Sequence, residues 1–175
     1  MSGILASIIP SPLHPAVVHL PMALAVLVPI FAVVALVTMR RAASTWRTWA
    51  VAVAMFASLS LSAWASMETG EDESEKVEKV VPEAAVETHE EAAEQFLWFS
   101  VGVLAVAAAG LLKGGVGGSA RLLATAGSVG ILVMGYRVGH SGGALVYTHG
   151  AASAYTSAGA LGTIPTSKSG DGDDR

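Results

Sequence analysis

The run Leu13-His14-Pro15-Ala16-Val17-Val18-His19-Leu20-Pro21 opens the first long apolar segment of the chain and decides how the rest is read. From His19 the next ionisable residue is Arg40, so 20 consecutive residues carry no titratable group. At 1.5 Å per residue such a helix covers the ~30 Å hydrocarbon core of a bilayer. A membrane span needs no histidine at its entrance, yet two stand here among prolines.

Composition agrees with a membrane protein. The chain has 175 residues, 53% hydrophobic and 14% charged, with a mean hydropathy of +0.57. Soluble domains carry nearer a quarter charged residues. The absence of cysteine excludes disulfides, iron–sulfur clusters, thiolate zinc sites and covalently attached haem. A secretory signal is the rival reading of the N-terminus. Residues 1–13 hold no Lys or Arg, and the apolar run ends at Met39-Arg40-Arg41 without a small-residue cleavage site, so a retained first helix is expected.

Four apolar segments follow, at about 16–39, 48–67, 96–112 and 119–139. Trp46, Trp49, Trp64 and Trp98 sit near segment ends, where amphipathic rings favour the interface. The pattern predicts an all-α, integral-membrane four-helix bundle over residues 1–152. The remainder, 153–175, is rich in Ser, Thr, Gly and Asp and is expected to be a disordered polar tail.

Charge in the connections predicts orientation. Arg40, Arg41, Arg47, Lys113 and Arg121 occupy the two short loops, which hold no acid. Glu68 to Glu94, between the second and third segments, holds eleven acids against Lys76 and Lys79. By the positive-inside rule the basic loops face the cytoplasm, giving an N-out, C-out protein whose acidic loop faces the periplasm or exterior. That loop is expected to be partly helical. Val77, Val80 and Val81 have helical spacing, Pro82 breaks that helix, and the third helix can begin near Glu83. On it Ala85, His89, Ala92, Ala93 and Phe96 share one face. Beyond the fourth segment, Gly142-Gly143 is expected to break or bend the helix.

In this topology His14, His19, His89, His140 and His149, which are all the histidines of the chain, fall at the outer face. Neutral imidazole is the commonest ligand for metals and haem. His19, His89 and His149 are the leading candidates for cofactor binding, with His14 and His140 beside them. Three of them also have a structural reading: His14 and His140 can serve helix ends, and His89 can simply pack, whereas His149 is harder to explain structurally. Asp72, Glu90, Arg137 and Thr69 could orient the imidazoles as an outer shell. Arg137 is expected to need a carboxylate partner from Glu68, Asp72 or Glu90. No phosphate loop, zincin motif, nucleophile elbow or basic nucleic-acid patch is present.

His14-Pro15, His19-x-Pro21, Thr69-Gly70 with Asp72, His89-Glu90 and Gly142-Gly143-x-Leu145-Val146-Tyr147-x-His149-Gly150 together resemble one bacterial family, domain of unknown function 2231. The resemblance covers about residues 10 to 152. Leu20 stands where that family often has Phe, and Ala144 where a polar or acidic residue is common. Relatives resemble four-helix membrane modules sometimes joined to cytochrome or Rieske-type domains, which implies a redox context.

Four functions are therefore weighed, of which a transporter ranks last because no charged residue lies mid-helix in the first three spans. One is a redox module binding haem b through two of His19, His89 and His149. Another is a copper or zinc site built from those three imidazoles. The third is a non-catalytic membrane anchor or subunit, without cofactor, whose histidines are structural. Haem or metal binding is preferred, with electron exchange to a cytochrome, Rieske-type protein or quinone. A substrate pocket is not evident, so a binding module is expected rather than an enzyme. The small-residue seams Gly110/Gly114 and Gly135/Gly139 would allow a homodimer in the lipid bilayer.

Overall fold

The computed structural model describes residues 12–41 and 44–160, with side chains to residue 156. Every regular element among them is helical. In chain order these are α1 (His14–Val17), α2 (His19–Met39), α3 (Thr45–Val77), α4 (Glu83–Ala109), α5 (Gly114–Tyr147) and α6 (Ser153–Ala160). The four long helices are apolar and long enough to cross a membrane. They pack in a ring: α2 on α3, α3 on α4, α4 on α5, and α5 back on α2.

Inside the ring a single apolar core runs along the helix axes. Leu24 and Val28 meet Phe56, Leu59, Phe96 and Ile131, all buried. Buried hydroxyls are satisfied locally: Ser60 donates to Ser100 Oγ at 3.3 Å, and Ser100 donates to the Leu97 carbonyl at 2.8 Å. The outward faces stay apolar, with Leu61, Val37, Leu122 and Leu123 each more than 60% exposed. Such exposure is costly in water and natural in lipid.

Trp49 is the exception among the interface tryptophans. It is fully buried, and its Nε1 donates to the Ala107 carbonyl at 2.8 Å. Gly110 lies directly against that ring nitrogen, so α4 ends where the indole enters. Arg121 Nε donates to the Gly110 carbonyl at 2.6 Å and closes the same helix end. Gly114 then turns the chain with φ 76°, a backbone state that side chains disfavour.

At the other end, the acidic stretch is mostly helix rather than loop. α3 runs on to Val77 and α4 begins at Glu83, so residues 78–82 alone connect them. The Gly142-Gly143 pair does not break α5, which continues to Tyr147. Leu145 from that extension joins Val81, Val86 and Ala151 in a second small core, with Val77 and Ala85 beside it. This cluster gives the helix a reason to persist past two glycines: packing outweighs a propensity cost of about 1 kcal/mol per glycine. Of the tail expected to be disordered, Ser153–Ala160 is helical, and residues 161–175 lie outside the described residues.

Candidate functional site: a paired imidazole at one end of the bundle

Four elements bring two of the five histidines together. His14 comes from α1, where Pro15 occupies an early helical position that needs no donor. His89 comes from α4. Their rings meet edge to face, centroids 6.3 Å apart and planes at 81°. Both residues are half-buried.

The hydrogen bonds fix which nitrogen of each ring bears the proton. His14 Nδ1 lies 2.8 Å from the Ser66 carbonyl, which can only accept, so Nδ1 carries the hydrogen and donates it. Thr69 Oγ1 stands 3.4 Å from the same nitrogen. His89 Nδ1 lies 3.0 Å from Ser141 Oγ. The Ser141 hydroxyl donates its one hydrogen to the Val138 carbonyl at 3.0 Å, so it accepts from His89 Nδ1–H. In the neutral state both rings therefore keep a lone pair at Nε2. Among the described residues His14 Nε2 has no hydrogen-bond partner, and the His89 ring interacts with the Val138 backbone as well as with Ser141.

Two glycines seat the rings. A Cβ added at Gly70 would stand 3.1 Å from His14 Cε1, and one at Gly142 would stand 3.0 Å from His89 Cε1. Any larger residue would push on the imidazole. Gly143, by contrast, faces open space.

Glu73 anchors the entrance. Its Oε1 accepts from Leu13 N at 2.7 Å and His14 N at 3.4 Å, supplying the helix start with an acceptor and a negative charge. Its Oε2 accepts from the Tyr155 hydroxyl at 2.8 Å, tying α6 to the same carboxylate. Partial burial, reinforced by that hydrogen bond to the carboxylate, pushes Tyr155 up to about 12.

The remaining sequence candidates lie elsewhere. His19 and His149 are exposed and make no ring contact with the pair. His140 is exposed and stacks on Tyr136, centroids 5.9 Å apart. Among the described residues no three His, Cys, Asp or Glu side chains come together to hold one ion, so His19, His89 and His149 do not form a triad. Thr69 reaches His14. Asp72 and Glu90 are exposed and touch neither ring, and Arg137 forms no ion pair with Glu68, Asp72 or Glu90.

A family model for a predicted membrane protein (DUF2231) matches residues 10–154. The chain belongs to this family. The matched span contains α1 to α5 and every residue of the imidazole pair and its supports. No curated protein and no solved structure matches the chain. As a DUF2231 member it is a membrane protein of the bilayer, and the function of the pair has to be argued from the geometry.

Reading the sequence alone did not pick out Ser66, Ser141 or Glu73 as supports. Glu73 is one acid among eleven, and a backbone carbonyl such as that of Ser66 leaves no trace in sequence. The glycines did leave one: Thr69-Gly70 and Gly142-Gly143 are the small-residue pairs nearest the two rings.

Proposed function

We propose that this chain is a membrane-embedded redox module that holds one metal ion between His14 Nε2 and His89 Nε2. The supporting observation is the shared tautomer: both Nδ1 atoms are committed as donors, to a carbonyl and to a serine hydroxyl, so Nε2 is the unprotonated nitrogen of each neutral ring. A ligand histidine commonly gives its other N–H to just such a partner. Copper suits the donor set, since imidazole binds it well, whereas a structural zinc wants four protein ligands. Haem b fits less well. The rings touch edge to face, and the apolar groove of about 350 Å³ lined by Trp98, Phe99 and Leu123 does not include them.

The basic short loops support placing this end of the bundle on the outer, periplasmic side of the bacterial inner membrane, where a bound copper could exchange electrons with a quinone or an external cytochrome. Because the chain has no cysteine, a single Glu75→Cys variant should react with an impermeant thiol reagent in intact cells, whereas a single Arg41→Cys variant should react only after the membrane is permeabilised.

The alternative is an anchor in which the two histidines pin helices together. The hydrogen bonds from α1 to α3 and from α4 to α5 favour it. Metal analysis and an optical spectrum of the detergent-solubilised protein separate the readings. One copper per chain, lost in both His14→Ala and His89→Ala, supports the metal site. A Soret band would redirect it to haem, and a metal-free, colourless protein from replete cells would leave the anchor.

A further inference from the structure

On the flank of the same end, α4 and α5 leave a shallow groove of about 250 Å³, lined among others by Thr88, Glu91, Gln95, Tyr136, Arg137 and His140. It holds an exposed cation and an exposed anion that form no ion pair with each other.

The groove also sits at a defined depth. On α4 the charged residues Glu91 and Glu94 give way to Phe96, and on α5 the exposed side chains Val129, Leu132 and Val133 precede Tyr136. Tyr136 is 71% exposed and stacks on His140, an arrangement that places an amphipathic ring at headgroup level. Below the groove lies an apolar strip suited to an acyl chain.

We propose that this groove binds the headgroup of a zwitterionic aminophospholipid. Its phosphate lies on Arg137, with His140 and Gln95 as further donors, and its primary ammonium lies on Glu91. A purely anionic headgroup would meet Glu91 with repulsion. A quaternary ammonium would have no hydrogen to donate to that carboxylate. Acyl chains follow Val133, Leu132 and Val129 down the outer face of α5. The site does not depend on any metal at His14 and His89, although Ser141 borders both.

The test is native mass spectrometry of the full, detergent-solubilised chain with phosphatidylethanolamine, phosphatidylglycerol and phosphatidylcholine of matched acyl chains. Phosphatidylethanolamine should be retained roughly two- to fivefold better than the other two, the scale of an exposed ion pair. Glu91→Gln should erase that preference, and Arg137→Gln should lower retention of all three lipids. Both side chains are exposed, so neither variant threatens folding. Equal retention of the three lipids, or phosphatidylglycerol at or above phosphatidylethanolamine, overturns the proposal. So does a preference that survives Glu91→Gln, or retention that Arg137→Gln leaves unchanged.

Discussion

Gly142 lies against the ring of His89, so close that a methyl group in place of its hydrogen would stand 3.0 Å from Cε1. The next residue, Gly143, meets nothing within 4 Å. Neighbouring glycines of one helix thus have opposite roles. Gly143→Ala should stabilise the protein by about 0.5–1 kcal/mol through helix propensity alone. Gly142→Ala should lose that gain and shift the His89 ring resonances. Thermal midpoints in detergent, with imidazole NMR shifts, distinguish the two, and equal midpoints would contradict the seating role.

If the pair holds copper, its outer partner matters. Ser141→Ala removes the acceptor that fixes the His89 tautomer and should weaken copper binding by roughly 10–100-fold. His19→Ala, His140→Ala and His149→Ala should leave affinity unchanged, since none touches the pair. A competition titration with a copper chelator reads all four.

Tyr155 supplies a pH-dependent contact. Its hydroxyl is held protonated to about 12, above the ordinary tyrosine value near 10, by burial and by the hydrogen bond to Glu73. Because the folded-state value is the higher one, docking of α6 should be intact below pH ~10 and fade as pH rises through 10 to 12. Phenolate absorbance should show a late component that is missing in Tyr155→Phe and moves earlier in Glu73→Gln. A single early titration would argue against the contact.

The same carboxylate holds the helix start. Glu73→Gln should speed hydrogen exchange at Leu13 and His14 as well as across Ser153–Ala160, two regions far apart in sequence. Faster exchange confined to one of them would show that Glu73 does not link them.

Trp49 makes a different kind of bond, inside the bundle. Trp49→Phe deletes the hydrogen bond to the Ala107 carbonyl and leaves a void, costing about 1–3 kcal/mol. Gly110→Ala should cost more, because the added carbon has no room beside the indole. Unfolding midpoints should rank wild type, Trp49→Phe, Gly110→Ala in falling order.

Four membrane helices are legible in the sequence because lipid imposes a blunt rule: some twenty residues without charge, as from Leu20 to Met39. Once α3 leaves that apolar run, nothing so simple applies. The helical spacing of Val77, Val80 and Val81 announces part of a helix there, but the polar turns from Glu68 to Lys76 carry no apolar stripe, and they persist because Val77 and Val81 pack with Leu145. Gly142-Gly143 looks like a break in sequence because the ring that Gly142 seats, His89, belongs to another helix. His19 stands out in sequence for its apolar neighbours, but it lies with Leu20 on the exposed side of α2. His14, five residues earlier on α1, is the residue that packs against the His89 ring. Trp49 reads as an interface ring from its position near a span end, whereas its true setting depends on a glycine 61 positions later.

α3 is a single helix of 33 residues, about 50 Å long at 1.5 Å per residue. Some 20 Å of it therefore stands clear of a ~30 Å hydrocarbon layer, braced by α4 and capped by the second apolar cluster. What projects from the membrane is a stiff post of fixed height. A tag or small domain spliced between the exposed residues Lys79 and Val80 would ride on it at a constant distance and angle, giving a 17.8 kDa protein buried in detergent a visible landmark for particle alignment.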